Sequence, residues 1–197
     1  MWNERYNRPE YVYGKEPNLF LAEASRYLQN PGRILSLGEG EGRNAVYLAG
    51  LGHNVTAVDS SSIGLKKAAV LAKEKGVTLH FIERDITRLK MRKNEWDAII
   101  SIFFHLPSVE RKQLHKKCIK AIKPGGYFIM EAYSRDQLKY QTGGPKIEDM
   151  LLELNELKNE FEDMVLLKAE EKVRNLAEGD FHNGDSSVIQ LIARKPL

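Results

Sequence analysis

Ile34-Leu35-Ser36-Leu37-Gly38-Glu39-Gly40-Glu41-Gly42 decides the reading of this chain. A strand of buried character runs into a turn with glycine at every second position. Glycine tolerates positive φ and lets a ligand approach the main chain. The helix predicted from about Arg43 presents unpaired N–H groups to the same space. Dinucleotide-binding enzymes carry G-x-G-x-x-G at such a place. Here the third glycine comes one residue early, and Glu39 and Glu41 would repel a pyrophosphate. A cationic ligand suits the turn better. The competing reading is a turn that only joins strand to helix.

Working outward, a second strand over 55–58 ends at Asp59, about 20 residues after the first glycine, where an acid can accept ribose hydroxyls. Capping of the next helix, a task that Ser60, Ser61 or Ser62 could also perform, is the alternative role for that segment. Asp85 and Ile86 follow a third strand over 77–82. The Asp85 carboxylate could accept from an adenine amine, with Ile86 against the ring; taken alone, it reads as readily as a plain surface acid of the loop. Ligands in open α/β sheets gather at the carboxyl ends of the strands, which these three sites share.

The rest of the chain keeps alternating apolar strands with amphipathic helices. Further strands are predicted over 33–37, 96–103 and 127–132, and helices over 17–30, 43–51, 62–76 and 108–122. Ile147, Met150, Leu151, Leu154, Leu157 and Phe161 share one helical face, which predicts a single helix there. Strands over 165–173 and 188–194, joined through Gly179 and Gly184, read as a closing hairpin with an antiparallel strand at the sheet edge. The fold class is α/β: a Rossmann-like three-layer sandwich around a mostly parallel seven-stranded sheet with an antiparallel last strand.

The 197 residues fit one domain. The net charge of +3 is too mild to argue for nucleic acid. Lys112, Lys116, Lys117, Lys120 and Lys123 read as the solvated face of one helix. Cys118 is the only cysteine, which excludes an internal disulfide and a cysteine-rich zinc site. It shares a helical face with Leu114 and Ile122 and is expected in the core. No metal site is expected. No apolar run approaches the ~18 residues of a membrane span, and the first residues lack a signal-peptide pattern. A cytoplasmic location is expected.

With these residues in place, the sequence resembles class I S-adenosylmethionine-dependent methyltransferases along nearly its whole length. The glycine motif, Asp59, Asp85, Trp96-Asp97 before the fourth strand and Pro124-Gly125-Gly126 before the fifth carry the likeness. More narrowly it resembles small bacterial tellurite-resistance and thiopurine methyltransferases, through Trp2-Asn3-Glu4-Arg5-Tyr6, Tyr13-Gly14-Lys15-Glu16-Pro17-Asn18, Glu39-Gly40-Glu41-Gly42-Arg43-Asn44 and Phe104-His105-Leu106-Pro107. The resemblance implies S-adenosyl-L-methionine as cofactor. Gly38, Glu39, Gly40 and Gly42 would lie around its methionine part, Asp59 at the ribose, and Asp85 with Ile86 at the adenine. Arg43, Asn44, Ser60 and Ser101 would line the same site. Two departures stand out. Many members carry an acid where this chain has Ser36, and Glu39 is the candidate to supply that charge. The tellurite enzymes have a His-Arg pair before their last strand, whereas His182 is followed here by Asn183.

The acceptor should meet Ser101–Leu106, the loop Glu131–Lys146, and the loop holding Asp180, His182 and Asp185. His105 and His182 are candidate bases, though each reads more readily as a hydrogen-bonded structural histidine, and Tyr133 is a weaker candidate. Residues 1–16, with Trp2, Tyr6, Tyr11 and Tyr13, read either as a lid over the cofactor or as a packed arm. The expected function is methyl transfer to a small-molecule acceptor, with a soft thiol or selenium nucleophile favoured by the resemblance. An RNA methyltransferase, a nucleotide-binding oxidoreductase and a non-catalytic S-adenosylmethionine-binding protein are the competing readings. No nucleic-acid or membrane partner is expected, and the sequence says nothing of oligomeric state.

Overall fold

A computed structural model describes residues 2–179 and 181–197. Among the described residues, six α-helices, α1 (Trp2–Tyr6), α2 (Leu19–Ala24), α3 (Arg43–Gly50), α4 (Ser62–Glu74), α5 (Ser108–Ala121) and α6 (Leu154–Glu160), accompany one sheet. Its strands are β1 (Arg33–Leu37), β2 (Asn54–Asp59), β3 (His80–Glu83), β4 (Trp96–Ile102), β5 (Ile122–Tyr133), β6 (Val165–Ala177) and β7 (Asn183–Arg194). They lie in the order β3-β2-β1-β4-β5-β7-β6. The first five are parallel, and β7 runs antiparallel to both neighbours. The order reverses between β1 and β4, so a crevice opens at the carboxyl end of β1, where open α/β sheets place their ligands.

The central strands are apolar on both faces because helices cover both. Phe20, Leu21, Leu48 and Leu71 of α2, α3 and α4 pack with Ile34, Ala57 and Ile100 on one side. Leu114 and Cys118 of α5, Leu157 of α6 and Phe161 just after it pack with Leu35, Ile99 and Phe128 on the other. Cys118 is therefore core, and burial pushes its thiol well above the usual range. Among the described residues, no helix is long and apolar enough to cross a membrane.

Three expectations need correction. The single helix over 147–161 is broken. A 3-10 turn at Glu148–Met150 precedes an extended Leu151-Leu152, and α6 begins only at Leu154. Leu152 N–H donates to Tyr133 O at 3.0 Å, and Arg135 N–H donates to Leu152 O at 2.9 Å. Those backbone bonds to the end of β5 outcompete the helical ladder, while Ile147 stays exposed. The antiparallel strand is not at the edge: β7 is inserted between β5 and β6, and the edge is β6. Finally, Lys123 lies beyond the end of α5, in β5, and binds both Asp97 carboxylate oxygens, at 2.8 and 2.9 Å. The other four lysines are exposed on α5 as expected.

Candidate active site

The turn after β1 is built as its glycines suggest. Gly38, Gly40 and Gly42 all have positive φ, at 62°, 58° and 94°. A Cβ on Gly38 would collide with the Phe104 ring, and one on Gly40 with the Tyr6 hydroxyl. Gly42 has a different task. Its missing side chain lets α3 start against α4, where a Cβ would meet Ala68 Cβ at 2.6 Å.

The acids around this turn are tied down by N–H groups. Glu39 is buried. One oxygen accepts from the N–H groups of Asn44 and Ala45, at 3.1 and 2.8 Å, capping α3, while the other is bonded to the Ser36 hydroxyl. Burial outweighs these bonds and pushes the carboxyl up to about 7. The serine found in place of an acid is thus the partner of the acid three residues on. Asp59 accepts from Gly40 N–H at 2.8 Å and Ser61 N–H at 2.7 Å, and burial raises its carboxyl. Ser61, not Ser60, caps α4, by accepting from Gly64 N–H at 3.0 Å; Ser60 is exposed. Asp85 is exposed and held below the usual carboxylate range by the Thr87 hydroxyl and N–H, with Ile86 buried beside it.

Two expected ligand residues face elsewhere. Arg43 donates to Glu178 at 2.6 Å, and Asn44 Oδ1 accepts from Asn18 N–H at 2.9 Å. Both belong to a buried polar network that the sequence reading missed. Arg174 binds Glu131 through two bonds, at 2.9 and 2.6 Å, and Glu178 at 2.8 Å. Asn18 and Gln190 donate to the remaining lone pairs of Glu131, at 2.6 and 2.7 Å. The one available signal was Glu131 itself, a carboxylate inside the apolar run Phe128–Ala132, which must find partners when buried.

Residues 2–14 lie across the turn. Asn3 accepts from the Ser61 hydroxyl at 2.6 Å, and Val12 N–H donates to Glu41 at 2.8 Å. Lys67 pairs with Glu41 and donates to the carbonyls of Arg8 and Glu10. Tyr6 is buried and stacks on Trp2 at 5.8 Å. Of the two readings of this segment, its position over the turn is the lid's, and its bonds are those of a packed arm.

At the ends of β4, β5 and β7 lies an aromatic nook. The His182 ring sits 4.5 Å from Tyr13, 4.4 Å from Phe103 and 5.6 Å from Tyr133. The Tyr133 hydroxyl and His182 Nδ1 are buried without a hydrogen-bond partner among the described residues. Burial, reinforced by Arg43, holds the His182 imidazolium far below its ordinary range, so the ring is neutral. His105 is placed differently. Its Nε2 accepts Tyr133 N–H at 3.1 Å and its Nδ1 faces Phe103 O at 3.2 Å, so both ring nitrogens are spent on backbone. Burial pushes its pKa down to about 4. Of the two readings of His105, this geometry is that of a structural histidine. Ser101 is buried beside it and lines a cavity of about 10 Å³ with Phe104, His105 and Met130, about the room of one water. Asp185 accepts from Asn175 at 2.9 Å. Asp180 lies outside the described residues.

Residues 34–126 match the family model of a methyltransferase domain. The ubiquinone biosynthesis O-methyltransferase of Rickettsia akari is 32% identical over 138 residues, which is 69% of this chain and 52% of that protein. A probable S-adenosyl-L-methionine-dependent methyltransferase TehB of Haemophilus influenzae is 25% identical over 96% of this chain and 68% of its own length. The chain spans about half the length of the first curated relatives it matches. The crystal structure of Haemophilus influenzae TehB superposes with a TM-score of 0.73 at 21% identity, covering 98% of this chain and 65% of that one. A protein described for conversion of a disulfide bond into a thioacetal group during echinomycin biosynthesis gives 0.77 at 18%, covering 98% and 88%. The fold is the Rossmann-like one of these neighbours, residues 34–126 match a methyltransferase-domain family, and the chain resembles the class I S-adenosylmethionine-dependent methyltransferases. Within that class the chain resembles the TehB-type proteins.

Proposed function

We propose that this chain transfers a methyl group from S-adenosyl-L-methionine to a small-molecule acceptor, and that the acceptor is a soft thiol or selenium nucleophile. One observation carries the reading. Phe104 lies on Gly38 of the cofactor turn, and the adjoining Phe103 borders a nook whose unpartnered polar groups, Tyr133 OH and His182 Nδ1, are neutral.

The residues present fit the cofactor. The turn carries no side chain at Gly38 or Gly40, and the acids beside it, Glu39, Glu41 and Asp59, count against a pyrophosphate. Gly38, Glu39 and Gly40 would hold the methionine part, Asp59 the ribose, and Asp85 with Ile86 the adenine. When bound, the cofactor supplies an electrophilic methyl group on a sulfonium.

The nook's residues exclude water and orient the acceptor. Such positioning contributes ~7–11 kcal/mol when reacting atoms are held about 3–3.5 Å apart. Tyr133 OH can donate a hydrogen bond and His182 Nδ1 can take part in one. Neither is a strong base at neutral pH, and His105 has no free nitrogen. A thiol loses its proton to solvent near neutrality and needs no strong base, whereas a plain alcohol does. The domain reading extends over residues 1–197, with residues 1–16 as a lid that must lift for exchange.

Calorimetric titration with S-adenosylmethionine, S-adenosylhomocysteine and NADH tests the cofactor, and turnover with thiols, selenite, a catechol and RNA tests the acceptor. Saturable binding of the two adenosyl ligands alone, with transfer to thiols or selenite, is the expected result. No adenosyl binding sinks the reading. Transfer to the catechol or RNA in preference to thiols overturns the acceptor class.

A further inference from the structure

Gln137 follows β5 in a 3-10 turn and is 1% exposed. Its Oε1 accepts Ser187 N–H from β7 at 2.8 Å. Its Nε2 donates to Thr142 Oγ1 at 3.1 Å and to Gly143 O at 3.2 Å. Thr142 Oγ1 in turn donates to Asp185 O at 2.7 Å. These bonds fasten residues 142–144 to the start of β7, which follows His182. The fastened segment is Gly143-Gly144, with φ of 138° and 80°. It lies flat on Tyr133. A Cβ on Gly143 would be 2.6 Å from the Tyr133 hydroxyl, and one on Gly144 would be 2.8 Å from the ring. The wall beside the unpartnered hydroxyl is therefore bare backbone, closed to van der Waals contact and held there by one buried amide.

We infer that Gln137 is a positioning residue that sets the size of the acceptor nook, and that the acceptor is a compact thiol or selenol of few heavy atoms. This rests on the proposed methyl transfer and narrows its acceptor. In the transfer, the acceptor sulfur forms its new bond to the methyl carbon as the sulfonium S–CH₃ bond breaks. The bonding pair returns to the cofactor sulfur, and the thiol proton goes to solvent. The clamp touches neither reacting atom. It keeps the glycine wall close to Tyr133, so that a bulky acceptor is excluded and a small one is held.

The test is a selectivity ratio, because loss of stability alone lowers both rates and leaves their ratio in place. With full-length protein, kcat/KM is measured for hydrosulfide and for benzenethiol in wild type, Gln137→Met, Thr142→Val and Thr142→Ser. Wild type should favour hydrosulfide. Gln137→Met and Thr142→Val should each shift the ratio toward benzenethiol by about 10-fold or more, the scale on which pocket contacts discriminate acceptors. Thr142→Ser, which keeps the hydroxyl, should retain the wild-type ratio, and the affinity for S-adenosylmethionine should not change in any variant. Where Gln137→Met fails to fold, the two Thr142 variants decide. A wild type that prefers benzenethiol, or a ratio unmoved in Gln137→Met and Thr142→Val, overturns the inference while the cofactor reading stands. A wild type that binds no S-adenosylmethionine overturns the reading beneath it.

Discussion

The Tyr6 hydroxyl stands over Gly40, on the spot a Cβ of that glycine would need. The N-terminal segment thus reaches the same backbone that the proposed cofactor would approach. Tyr6→Ala should speed association of S-adenosylmethionine by about 10-fold, on the scale of ~1.4 kcal/mol per decade. It should also cost about 3 kcal/mol of stability, since a buried aromatic ring is removed. Stopped-flow binding and urea unfolding measure the two effects. An unchanged association rate means that the ring does not gate the turn.

Glu39 gives stability a pH dependence whose sign follows from its raised carboxyl. Its native value of about 7 exceeds the ~4.3 of an unfolded glutamate. The native state therefore binds the proton more tightly. The resulting stabilisation is full below about pH 4 and is lost as pH rises through 7, a change of about 2–4 kcal/mol. Glu39→Gln cannot titrate. The stability difference between variant and wild type should move in the variant's favour between pH 5 and pH 8 in urea titrations. A constant difference contradicts the assignment.

For His105 the sign is reversed. Its native value of about 4 lies below the ~6.5 of an unfolded histidine. Its contribution is present above pH 6.5 and is lost as pH falls through 4. His105→Leu leaves Tyr133 N–H unpaired and should cost ~1–3 kcal/mol at pH 7. At pH 5 the deficit should shrink by about 2 kcal/mol, because only the wild type carries the titration. A deficit that grows in acid shows that the ring is charged in the native state.

Arg43 and Glu178 are both nearly buried, with the ion pair at 2.6 Å. Glu178→Leu strands the Arg43 charge and should cost about 3–5 kcal/mol. Arg43→Met/Glu178→Leu should recover part of that loss, because no unpaired charge remains. Urea unfolding of the two variants and of Arg43→Met completes the cycle, and strictly additive losses would mean that the pair is not coupled.

The sequence by itself determined the order of the strands and helices, and with it the crevice at the end of β1. Period-2 and period-3.6 patterns are local, and the spacing Gly38, Gly40, Gly42 and Asp59 is written along the chain. The same locality limited the reading elsewhere. The apolar face from Ile147 to Phe161 has helical period, yet Leu151-Leu152 goes to the end of β5, because backbone partners there are supplied by residues distant in sequence. Arg43 and Asn44 sit inside a recognisable motif, but Glu178 and Asn18 turn them into a network that no local pattern shows.

The tertiary structure alone decided which polar groups are spent and which remain open. His105 and His182 look alike along the chain. One is bonded on both ring nitrogens and the other has no partner for Nδ1 among the described residues, because one meets the backbone of Phe103 and Tyr133 and the other a wall of aromatic rings. A side chain's chemistry depends on its partners and its access to water, and folding assigns both from segments far apart in the sequence.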